Sequence, residues 1–216
     1  MRKFSILAVA ALVGLLSTAL VAQQAPAAKP KPRPASQPLY RMTNAIQDIM
    51  EGIVAPSADV LFDAVATDIT AEGINEKRPQ TDEEWEHVEW AAIALVESMN
   101  MVRVPGRIVA RPGEKTKSEG PDAPELTAEE IKAKIDMDRG KFLKYSNDLQ
   151  EQAVKALAIA RKHDAQGLFD IGEEIDNACE ACHLEYWYPN DKAAKAAYEA
   201  DQKLRAAEAA KKKQGK

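Results

Sequence analysis

The sequence predicts an all-α protein built as a four-helix bundle, on three observations. Apolar residues recur at three- and four-residue steps in four segments, two of those segments open with a capping box, and no stretch holds the two-residue alternation of a strand. The first segment starts at Leu39 and carries Met42, Ile46, Ile49, Met50 and Ile53 on one side, then resumes with Val60, Leu61, Ala64, Val65 and Ile69. Between these runs stands Pro56, which has no amide to donate and presses on the carbonyl of Gly52, so a kink or break is predicted between Gly52 and Ser57.

The second helix opens at Thr81, with Glu84 completing the capping box, and turns Trp85, Val88, Ala92, Leu95, Met99 and Val102 to a neighbour before Pro105-Gly106 stops it. The connection from Val104 to Leu126 holds four prolines and three glycines, long for a structureless link in a compact domain. Thr127 and Glu130 then open a third helix with Ile131, Ile135, Phe142, Tyr145, Leu149, Ala153 and Leu157 inward, ending near His163. Asp164 is placed to cap the fourth, whose stripe runs Leu168, Ile171, Ile175, Ala178 and Cys182. The bundle domain is therefore expected over residues 39–190. Residues 191–216 are Ala- and Lys-rich, with only Tyr198 and Leu204 as large apolar groups, and read as a solvated helix or tail.

Ahead of the bundle, Arg2-Lys3, an apolar run to Val21 and the small residues near Ala22 have the form of an export signal over residues 1–22, expected to be cleaved. Retention as a membrane tether is the lesser alternative, because the run is close to spanning length. Residues 23–38 form a proline- and lysine-rich linker. Loss of the signal removes two basic residues and no acidic one, taking the net charge from −5 to −7 and arguing against nucleic acid as a partner.

Cys179 and Cys182 are the two cysteines of the chain. A disulfide between residues three apart closes a very small loop and restricts the unfolded chain little. With His183 they form Cys-Glu-Ala-Cys-His, the pattern of covalent haem c attachment. Two thiols add to the vinyl groups at one edge of the porphyrin, and the imidazole four positions beyond the first thiol reaches the iron as an axial ligand. On a helix all three residues face one flat ligand. Burial of a macrocycle in the core also predicts a chain that is loosened without it. A thiol-redox pair is the weaker alternative, since such a pair opens a helix and this one closes it. A zinc site would need further ligands, and His87 and His163 bring no partner resembling a zinc-ligand pair.

An export signal, four bundle helices and one such motif near the C-terminus together resemble a class II c-type cytochrome, the cytochrome c prime family, over about residues 39–190. Tyr186 falls where that family often has an aromatic residue, whereas Trp187 stands where a basic residue is common and Tyr188-Pro189 is atypical. The resemblance implies that a side chain of the first helix faces the sixth iron position. A methionine there implies an electron carrier, and an apolar group implies an open iron that binds small gases such as NO or CO. Met50, deep in the apolar stripe, is the favoured sixth ligand, with Met42 second; either can instead be a core residue. The expected function is periplasmic electron transfer with a redox partner protein, without catalysis on a substrate, and the alternative is gas binding behind Ile46 and Ile49. A homodimer through the first two helices, with Trp90 in the interface, is the implied assembly, and a monomer is the rival.

Overall fold

The computed structural model of the chain describes residues 40–71, 73–116 and 125–214, the side chains of 68–70 and 212–214 aside. The signal and linker expected over residues 1–38 lie outside the described residues. Helix dominates, as the all-α reading requires, and no described helix is long and apolar enough to cross a membrane.

The first helical rod is made of α1 (Ile46–Ile49), a π-helical turn (Met50–Val54) and α2 (Ala55–Asp63). It begins seven residues later than the pattern from Leu39 suggested, because Ala45 is the N-cap and its amide donates to the Asp48 carboxylate at 2.8 Å. The break expected near Pro56 is this π turn. A proline at the second position of α2 leaves the Gly52 carbonyl without its usual donor, and the helix takes up one extra residue around Gly52 rather than breaking. Burial records the shift, for the inward residues run Ile46, Ile49, Val54, Ala58 and Leu61, with one five-residue step in the middle.

Two expectations are corrected beyond this rod. The helix does not continue to Ile69; after Val65 the chain forms an antiparallel hairpin of β1 (Ala66–Thr70) and β2 (Gly73–Lys77), with Ile69 opposite Ile74. Thr67, Ile69 and Thr70 are β-branched and stiff at χ1, which favours strand over helix, and Gly73 at φ 140° permits the reversal. The third helix is likewise two pieces, α4 (Ala128–Met137) and α5 (Arg139–Ala160). Asp138 stands between them in non-helical geometry and caps α5 by accepting from the Lys141 amide at 2.9 Å.

The remaining helices are α3 (Asp82–Val102), α6 (Ala165–Tyr186) and α7 (Lys192–Gln214). Both capping boxes stand as expected: the Glu84 amide bonds Thr81 Oγ1 at 3.2 Å and the Glu130 amide bonds Thr127 Oγ1 at 3.2 Å. Helix α2 packs on α3 and α6, α3 on α5, α5 on α6, and α4 on α5 and α6. Between them lie Ile49, Leu61, Leu95, Met99, Ile131, Leu168 and Ile175, all fully buried. Each such side chain contributes about 1.5–3 kcal/mol by leaving water, so truncating Leu95 to alanine would open the centre of the core.

The connection after α3 is no idle loop. Carbonyls of Ile108 and Val109 accept the Ile46 and Gln47 amides, both at 2.9 Å, giving partners to donors that a helix start leaves unpaired. Arg111 reinforces the junction by pairing with Asp48. At its far end the Leu126 amide donates to the Trp187 carbonyl at 2.8 Å, and the Thr116 hydroxyl donates to the Leu126 carbonyl at 2.8 Å. These bonds hold the N-terminus of α1 and the C-terminus of α6 at the same end of the molecule, so the two run antiparallel.

Helix α7 is docked on α6 rather than solvated all round. Arg205, largely buried, pairs with Glu173 at 2.7 Å and Glu174 at 2.5 Å, and Gln202 donates to Asn177 at 2.5 Å. Leu204 stays 65% exposed while Tyr198 is half-buried, so polar pairing carries much of the docking of this helix.

Candidate functional site

Helix α6 owes both its start and its direction to local chemistry. Asp164 accepts the Gly167 amide at 2.9 Å, and any side chain at Gly167 would meet that carboxylate at 2.6 Å. Before it, His163 adopts φ 53°, its amide donating to Ala160 and the Asp164 amide to Ile159. This is the Schellman ending of α5, with histidine where glycine is usual. The His163 ring stacks on Trp85 at 5.0 Å with 4° between planes. His163 therefore closes a turn, and it stands a full helix length, on the order of 25–30 Å, from Cys179–His183. His87 is exposed on α3.

Cys179, Cys182 and His183 occupy the last two turns of α6, all half-buried, and both cysteines are free thiols. Successive helical residues rotate by about 100°, so residues 179, 182, 183 and 186 share one face. Burial pushes the Cys179 thiol up to about 12, with Asp176 and Glu180 adding to it. Cys182 is pushed up to about 12 in the same way, burial first, then Cys179, Glu185 and Asp148.

Several contacts fix the end of this helix. The Trp187 and Tyr188 amides both donate to the His183 carbonyl, at 2.7 and 3.0 Å, and the Tyr188 hydroxyl donates to Glu180 at 2.7 Å. The His183 ring lies 5.7 Å from that of Tyr188 and 6.5 Å from that of Trp187. Glu185 sits between Lys141 at 2.8 Å and Lys134 at 3.3 Å. Burial works to raise its carboxyl, but the two lysines outweigh this and hold it below the usual carboxylate range.

A helical count gives the register of the first rod along α6. A Cβ on Gly172 would lie 3.5 Å from Phe62, so α2 passes over α6 there. His183 is eleven residues on from Gly172, about three turns, and lies on the same stripe. On the antiparallel first rod the corresponding position is about eleven helical steps back from Phe62. A plain α-helix would put Glu51 there. With the extra residue of the π turn the count reaches Met50 instead, and Met50 is half-buried against the core while Glu51 and Gly52 are exposed. Met42 lies before the helix start, 43% exposed beside Gly106, away from the stripe. Ile46 and Ile49 are buried at 3% and 1%.

The shared helical face of Cys179, Cys182 and His183 was legible from spacing alone. The burial of Tyr186 and the clamp of Lys134 and Lys141 on Glu185 were not, since both depend on α4 and α5 lying against α6. Among the described residues no group of three or more His, Cys, Asp or Glu side chains is disposed to hold a metal ion. No family model, curated protein or solved structure matches the chain.

Proposed function

We propose that this chain is an exported c-type cytochrome, a four-helix bundle carrying one covalent haem c, that transfers electrons to or from a redox partner protein. One observation carries the reading. Two reduced thiols and an imidazole share one face at the end of a helix whose core-facing stripe leads to them, the donor set that haem c attachment uses. In this reading Cys179 and Cys182 hold the porphyrin edge and His183 binds the iron from one side. The group itself supplies a one-electron couple whose potential depends on axial ligands and burial.

The chain's own residues do the rest. Met50 is the favoured sixth ligand, supported by the helical count that reaches it from Phe62 and by its packing against the core; Met42, 43% exposed, stays the second candidate. The ring contacts of Trp187 and Tyr188 and the bond from Leu126 to Trp187 limit the motion of His183. The acidic balance of the chain suits a partner with a basic face, the charges serving mainly to steer encounter. Trp90, 59% exposed on α3, is compatible with a homodimer through the first two helices. No turnover of a substrate is proposed.

The second reading, an open iron that binds NO or CO, draws on the buried Ile46 and Ile49 beside Met50. One measurement separates the two. The chain, expressed with its signal in a host that attaches haem c, is purified, reduced and examined by optical absorption before and after carbon monoxide. A low-spin spectrum that the gas leaves unchanged is expected. A high-spin spectrum that shifts with the gas would establish the open iron, and no haem absorption at all would overturn the cytochrome reading.

A further inference from the structure

We infer that the Tyr186 hydroxyl donates a hydrogen bond to a propionate carboxylate of the bound haem, an inference that rests on the haem reading of Cys179, Cys182 and His183. Tyr186 is the last residue of α6 and is 2% exposed. Its ring is held edge-on by Phe142 at 5.5 Å and Tyr145 at 6.0 Å. Its hydroxyl is buried with no hydrogen-bond partner among the described residues. Such orphans are uncommon, because a hydroxyl removed from water and left unpaired lowers stability. Phenylalanine would make the same ring contacts without an unpaired donor, so packing alone does not account for the oxygen.

The direction of the side chain and the state of its neighbours point to the missing partner. Tyr186 is one turn beyond Cys182 and two beyond Cys179, on the face the thiols share. Four carboxylates on or beside α5 and α6 are engaged elsewhere: Glu185 with Lys134 and Lys141, Glu180 with Tyr188, Asp148 with Lys144, and Asp138 with the Lys141 amide. None of these four accepts from the phenol, and an acceptor brought by whatever fills this face would. In a haem the ring nitrogens are committed to iron, which leaves the two propionates as strong acceptors, and a phenol bonded to a carboxylate is a charge-assisted pair.

The test compares haem-loaded wild type, Tyr186→Phe and Tyr198→Phe by resonance Raman spectroscopy in the propionate-bending region. Tyr186→Phe is expected to move that band while haem content and far-ultraviolet circular dichroism stay as in wild type. Tyr198→Phe, on α7, is expected to leave it in place. Haem attached in full with the band unmoved in Tyr186→Phe would overturn this inference alone, with water as the partner of the phenol. A shift confined to iron–ligand bands, or an equal shift in Tyr198→Phe, would overturn it too. Absence of haem from the wild type would overturn both it and the reading beneath it.

Discussion

Cys179 and Cys182 are chemically quiet where they stand in the haem-free chain. Thiolate is the reactive form, and burial holds both thiols up to about 12. The consequence for stability has a definite sign. Below the unfolded-chain value of about 8.5 both states keep their protons and the contribution is whole. As pH climbs from there towards 12 the unfolded chain ionises first, so stability falls. The urea midpoint of the haem-free protein is therefore expected to drop from pH 8 to pH 10 by more than that of Cys179→Ala/Cys182→Ala. Equal drops would show that the thiols are not buried in this way. His163 teaches a related lesson at the same scale. A histidine near a cysteine motif in sequence invites a ligand role, yet this one closes a Schellman turn and stacks on Trp85, which only the fold reveals.

Helix starts were legible because their chemistry is local. Thr81 with Glu84, Thr127 with Glu130 and Asp164 with Gly167 each satisfy amides within one turn. Elements that depend on distant partners were not. The hairpin hid behind a helical-looking run ending at Ile69, and the docking of α7 depends on Arg205 meeting Glu173 and Glu174. Arg205→Ala is expected to speed tryptic cleavage within α7 severalfold and to leave the urea midpoint of the core unchanged; an unaltered cleavage rate would mean that the pairing does not hold the helix. The π turn sets a sharper expectation. In haem-loaded protein Met50→Leu should give a high-spin iron that binds carbon monoxide. Adding Glu51→Met should not restore the low-spin spectrum, since residue 51 is turned about 100° off the stripe. Restoration would mean that the first rod has the phase of a plain α-helix.

At the scale of the whole molecule, the haem reading links stability to the cofactor. A group bound only by the folded chain stabilises it, and a covalent one does so without dependence on concentration. Cys179→Ala/Cys182→Ala is expected to unfold at lower urea than the haem-loaded protein, with a shallower slope, measured by circular dichroism. Matching midpoints and slopes would break the link. The helical class and the shared face of Cys179, Cys182 and His183 could be read from one dimension, whereas the use of the 104–126 connection could not. Its prolines and glycines exclude helix but say nothing of Ile46, Gln47 or Trp187, to which it is bonded.

Those bonds also bear on the order of events as the chain folds. Ile46 and Gln47 meet Ile108 and Val109 across some sixty residues, and Leu126 meets Trp187 across a similar span. Joining such distant pieces costs more chain entropy than winding α3 or α5, so this end should consolidate after the rest. Pulsed hydrogen exchange during refolding is expected to protect the amides of α3 and α5 before those of Ile46, Gln47 and Leu126; simultaneous protection would contradict it. An end that closes last leaves the final turn of α6, at Trp187, within reach of solvent while α3 and α5 are already packed.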